Sequence, residues 1–196
     1  MTDMDPAASD GPEAQAPADD READLDLAAA GIPAREEAEA LDIPLPLNLD
    51  FMFRLHLHVG TPQVAGQGPG GELRIMPVTG GHFAGPRLRG EVLPGTAADW
   101  LRLDPDGTAR LDVRLTLRTE GGQVILMSYT GVRTGPEKVL ARLAHGEAVP
   151  ASEYYFRTAI RFETGGADLL WMNRVIAVGT GQRPPEGPVY DVYEVR

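Results

Sequence analysis

From Phe51 to Val195 large apolar residues recur at every second position in short segments punctuated by Gly and Pro. That period belongs to half-buried β-strands, and it limits the chain to a mainly β architecture. Antiparallel strands in such number curl into a closed or nearly closed barrel, whose one interior is filled by side chains or holds a ligand. Phe51–Val59 sets Phe51, Phe53, Leu55, Leu57 and Val59 against Arg54, His56 and His58. Leu73–Thr79 is broken by Pro77 and stopped by Gly80-Gly81, and Arg87–Leu93 follows. Arg110–Thr119 opposes Leu111, Val113, Leu115 and Leu117 to Asp112, Arg114, Thr116 and Arg118, and the turn Glu120-Gly121-Gly122 predicts that Gln123–Thr130 pairs back as a hairpin. Glu153–Thr164, Leu169–Gly179 and Val189–Val195 bring the expectation to about eight strands.

One helix is expected, opened by Pro136, carried by VLARLAH and stopped by Gly146. Leu169–Val178 is apolar on both faces apart from Asn173 and Arg174, and Gln123–Met127 is similar. A strand of that kind needs cover on both sides, from the helix, from the segment Ala34–Leu49 or from a second subunit, so a homo-oligomer is expected.

Charge divides the chain. Residues 1–50 hold fourteen acidic and two basic groups, a net of −12 against −11 for the whole, so the remaining 146 residues sum to about +1. The low overall pI therefore describes the leader and not the body. Residues 1–45 read as a disordered acidic leader, with a short helix over Ala34–Asp42, and 46–196 as the barrel domain. The leader has no basic start and apolar core of a signal peptide, and no run approaches the ~18 apolar residues of a membrane span. With one lysine, Lys138, and a near-neutral body, a nucleic-acid partner is not expected. The absence of cysteine excludes disulfides, thiolate nucleophiles and Cys-type zinc sites and fits a reducing cytoplasm.

Several phrases occur together: PVTGGHFAGPRLRGEVLPG, the pair Asp99-Trp100, EKVLARLAHGE, SEYYFRTAIRFETG, LWMNR and a terminal VYDVYEV. In this combination the chain, from about Phe51 to its end, resembles the bacterial and fungal family known as domain of unknown function 3237. The resemblance implies a small β-barrel of the calycin or cyclase-barrel sort and brings no settled reaction.

The residues themselves offer a short list of chemistries. In the run from Tyr154 to Glu163, Tyr155, Arg157, Arg161 and Glu163 share one strand face, and Tyr154, Phe156, Thr158, Ile160 and Phe162 the other. An Arg with a Tyr can hold a carboxylate or enolate while a Glu or Asp moves a proton, which singles out Arg157 and Tyr155 with Glu91 or Asp112 as the base. The competing reading is a structural ion pair on the barrel wall, and periodicity favours it: the Tyr154 face is the more apolar and points inward in a simply packed barrel. Trp171 and Asn173 suit the floor of a pocket for a planar carbonyl compound, or equally a core Trp beside a backbone-bonded Asn. His56 and His58 share a face but lack a following carboxylate, with only His82 as a third imidazole, so no metal is expected. The Gly-rich loops do not lead into helices, which argues against dinucleotide or phosphate loops, and no serine lies in a G-x-S-x-G context.

The expectation is a cofactor-free cyclase, isomerase, hydratase or lyase acting on an apolar or aromatic oxygenated metabolite. The alternatives are a non-catalytic carrier or sensor barrel and an interaction protein that docks through its acidic leader.

Overall fold

The computed structural model describes residues 46–196. The expectations of a disordered leader and of a helix over residues 34–42 lie outside the described residues. Ten strands form one antiparallel sheet: β1 Leu49–Val59, β2 Gln63–Gly68, β3 Gly71–Ala84, β4 Arg89–Val92, β5 Ala98–Leu103, β6 Ala109–Thr119, β7 Val124–Thr134, β8 Tyr155–Thr164, β9 Ala177–Gln182 and β10 Val189–Val195. Each of β1 and β10 would be an edge, but they pair with one another, and β1 also pairs with β3, so the sheet closes. Going round, β1, β3, β6, β7, β8, β9 and β10 each take one position. The short β4 and β5 share the place between β3 and β6, which makes an eight-stave barrel, and β2 is a hairpin on the outer part of β3. Closure leaves the eight staves no edge to cap, and among the described strands β2 alone carries a free one.

Alternation sets which side chains fill it. Leu111, Val113, Leu115 and Leu117 of β6 are buried while Arg110, Asp112, Arg114 and Arg118 are exposed. On β8 the Tyr154 face turns inward: Phe156, Thr158, Ile160 and Phe162 are buried.

Three local expectations are corrected. Gly80-Gly81 does not end a strand at Thr79, because β3 runs on to Ala84 through both glycines, at φ +151° and +149°. A side chain on Gly81 would collide with the His56 carbonyl on β1, so only glycine allows this approach. Leu169–Gly179 is not one strand either. Ala167–Arg174 winds as a 3-10 helix and only Ala177–Gln182 is strand, so of the apparent two apolar faces Leu169 and Met172 are buried by the helix while Leu170 and Ile176 stay exposed. Finally, β2 and β5 arise in stretches with no predicted strand.

The two ends of the barrel are filled differently. At one end Phe53 stacks against Phe83 and Phe162 (ring centroids 5.3 and 6.2 Å), with Leu115, Leu117, Ile125 and Met127 fully buried around them. The 3-10 helix presses Leu169 and Met172 onto this end. It is held by Arg87, whose guanidinium lies 3.7 Å over the Trp171 ring and donates to Glu194 Oε2 at 2.7 Å. The helix α1, Glu137–Ala144, lies in the connection from β7 to β8 at the other end, with Val139 and Leu143 buried and Gly146 at φ +77° ending it.

Candidate functional site

At the end opposite the plug the barrel is hollow. The cavity has a free volume of about 60 Å³, and its wall is mostly apolar: Leu57, Val59, Met76, Val78, Leu101, Val113 and Phe156. Five polar side chains interrupt that wall, namely Asp99, Tyr129, Arg133, Arg183 and Tyr190. Each arrives by the alternation of its own strand. β5 brings Asp99 inward two residues before Leu101. On β7 the inward series Ile125, Met127, Tyr129 continues through Gly131 to Arg133. Gly131 lets β7 lie close against β8, since a Cβ there would stand 2.8 Å from Thr158 Cγ2. β10 supplies Tyr190, and Arg183 follows the last residue of β9. Glycines 179 and 181 send no side chain inward, and Phe156 packs directly on Gly181, where an added Cβ would lie 2.5 Å from its ring.

The polar groups are tied down from behind. Asp99 Oδ1 accepts the backbone N–H of Asp112 at 3.2 Å. Tyr154 Oη accepts the backbone N–H of Arg183 at 2.8 Å, and Arg183 Nη1 donates to the Pro184 carbonyl at 2.7 Å. Tyr190 sits edge-on between Phe156 and Tyr129, both at 5.4 Å between centroids. Arg133 Nε is buried with no partner, and the buried Tyr129 hydroxyl meets only that of Tyr190.

Burial sets the electrostatics. It pushes the Asp99 carboxyl up to about 7, against the opposing pull of the Asp112 amide and the Arg133 charge. It raises Tyr129 and Tyr190, so both phenols stay protonated. It also lowers Arg133, helped by the neighbouring positive charge of Arg183. A carboxyl poised near neutrality can give or take a proton, and guanidinium and phenol donors can hold an oxyanion.

The residues singled out from sequence lie elsewhere. Glu91 is on the outer wall, half-exposed and paired with Arg118 at 2.5 Å. Tyr155 and Arg157 are exposed on the outward face of β8, where the Arg157 guanidinium lies 5.2 Å from the Tyr155 ring and donates to the Phe156 carbonyl. Asp112 also points outward and reaches the hollow only through its backbone amide. Trp171 stacks under Arg87 at the plugged end. Asn173 accepts the Thr164 N–H and donates to the Thr164 carbonyl, both at 2.9 Å. Of these six, the structure brings none but the Asp112 amide to the cavity. On the outer wall the His56 and His82 rings stack 4.6 Å apart, and burial with the His82 charge holds His56 below its ordinary value. Among the described residues no three His, Asp or Glu side chains converge on one point.

The signals that reach Asp99 and Arg133 were present in the sequence. Asp99-Trp100 stood out only as a phrase, in a stretch with no predicted strand. The β7 alternation, stopped at Thr130, reaches Arg133 if carried three residues further.

Comparison with known proteins places this architecture. The family model described as "Protein of unknown function (DUF3237)" matches residues 47–195. A UPF0311 protein of Rhodopseudomonas palustris is 34% identical over 137 residues, 70% of this chain and 89% of that one. The crystal structure of that protein, titled as a conserved protein of unknown function, superposes with a TM-score of 0.73 at 31% identity over 79% of this chain and all of that one. A β-barrel-like protein of Acinetobacter baumannii gives 0.69 at 32%, covering 79% and 99%. A structure titled as an enzyme from Penicillium herquei shares the fold, with a TM-score of 0.61 at 24% identity over 79% and 98% of the two chains.

Proposed function

The chain belongs to the family described as Protein of unknown function (DUF3237), and from that premise we propose that its barrel binds a small oxygenated metabolite and moves a proton on it without a cofactor. The reaction class is that of a cyclase, isomerase, hydratase or lyase. The observation that carries the reading is the Asp99 carboxyl, poised near neutrality in an apolar hollow beside Arg133 and Tyr129. Asp99 takes or returns the proton. Arg133, Arg183 and Tyr129 hold the negative charge that develops on oxygen, in a cavity where water screens it poorly. The apolar wall receives the hydrocarbon part. A pure carrier has no need of a carboxyl in its cavity, and Asp99 weighs against that alternative.

The test is proton exchange. A panel of small acyclic ketones is incubated with the protein in deuterium oxide, and NMR follows deuterium uptake beside the carbonyl. We expect accelerated uptake for at least one ketone and a loss of about 100-fold or more in Asp99→Asn. Glu91→Gln and Arg157→Ala, both on the outer wall, keep the wild-type rate. Ketones that bind and never exchange would move the protein to the carrier reading.

A further inference from the structure

We infer that the group this hollow receives is a carboxylate, the head of a small monoanion on an apolar stem, held by Arg133, Arg183 and the Tyr129 phenol. The inference rests on the hollow being the binding site and adds the class of ligand.

Three observations lead there. First, two guanidinium groups line one small cavity, and among the described residues neither makes a salt bridge. Asp99 is the one carboxyl in this lining, so two cations face at most one anion, and an incoming anion relieves the excess. Second, the unmet group is a donor. Arg133 Nε–H is buried with nothing to bond to, and the Tyr129 phenol, 4% exposed, has only the neighbouring Tyr190 hydroxyl. An amine or ammonium would bring more donors, whereas a carboxylate brings acceptors alone and fits the planar guanidinium two oxygens at a time. Third, the free volume of about 60 Å³ is less than half of the ~150 Å³ that encloses a benzene ring. It takes a carboxylate and the first stem carbons against Leu57, Val78, Val113 and Phe156, so a guest as large as butanoate keeps its tail toward the mouth.

Asp99 makes the binding depend on pH. The groups facing it are Arg133 and Tyr129 from β7, Tyr190 from β10, Arg183 beyond β9 and Asp112 on β6, while β1 and β3 offer only apolar side chains. Below pH 7 its carboxyl is largely protonated and an anion meets two uncancelled positive charges; above it the carboxylate cancels one of them and weakens the attraction.

The experiment is titration calorimetry with a thermal-shift series on the full chain, using butanoate, its uncharged analogue butanamide, and inorganic phosphate. Butanoate is expected to bind and raise Tm by several degrees, while butanamide and phosphate are not. Arg133→Met should weaken butanoate at least tenfold. The ligand-free variant should melt above wild type, because a buried uncompensated charge is gone, and this shows that it folds. Wild type should bind butanoate at least threefold more weakly at pH 8 than at pH 6, and Asp99→Asn should erase that difference. Equal effects of butanoate and butanamide, or full-strength butanoate binding by Arg133→Met, would overturn the inference. Ketone exchange surviving such a result leaves the proton-transfer reading in place. Butanoate binding with no exchange in any ketone does the reverse.

Discussion

On the proposed reading, Asp99 is the residue at which stability and function are most directly opposed. Its folded-state proton affinity, near 7, stands above the 3.8 of an ordinary Asp. The folded protein therefore holds this proton more tightly than the unfolded chain does. Its favourable contribution is whole below pH 4 and is lost as pH rises through 7, and three units correspond to about 4 kcal/mol. Asp99→Asn removes the dependence and keeps an acceptor for the Asp112 amide. Urea denaturation should show the two proteins alike at pH 4 and the variant more stable by up to about 4 kcal/mol at pH 8. A difference that does not change with pH would count against the burial of this carboxyl. The sequence drew attention to Glu91 and Asp112, outside the cavity, and not to Asp99 within it, for a physical reason. Glu91 and Asp112 sit on clearly alternating strands, but on the polar phase, and in a barrel that phase is the outside. Asp99 and Arg133 sit on the apolar phase, where a polar residue reads as a break in the pattern when it is in fact the feature of interest.

At the scale of elements, the strands with long alternation were legible and the short or interrupted ones were not. β6 and β8 follow their periodicity residue by residue. β5 offers only six residues, with Asp99 interrupting the inward series. The 3-10 helix Ala167–Arg174 was read as strand because LLWM is too short a run for period two and period three to be told apart. This element seals the barrel, and Met172 is its fully buried contact. Met172→Ala should lower stability by about 2–5 kcal/mol through the cavity it leaves. Butanoate affinity, read at the far end, should stay unchanged, and a tenfold loss would mean that the two ends are not independent.

For the molecule as a whole, closure is the decisive event. β1 and β10 lie at opposite ends of the barrel sequence yet pair along their length, and Arg54 reaches Asp191 across 137 positions with two hydrogen bonds of 2.6 and 2.8 Å. Composition and alternation announced a barrel, but no local signal reports which strands meet last, because that pairing is a property of the finished ring. Removing residues 189–196 should therefore cost more than one strand. With the edges of β1 and β9 exposed and Tyr190 and Val192 gone from the interior, circular dichroism should show no cooperative melting. A truncated chain that still melts in one sharp step would show that the seam is dispensable. The finished ring, plugged at the Met172 end, is a blind alley. On the proposed reading a guest must back out by the doorway it came in, so each product stands in the way of the next substrate until it departs, and no chain can be threaded through.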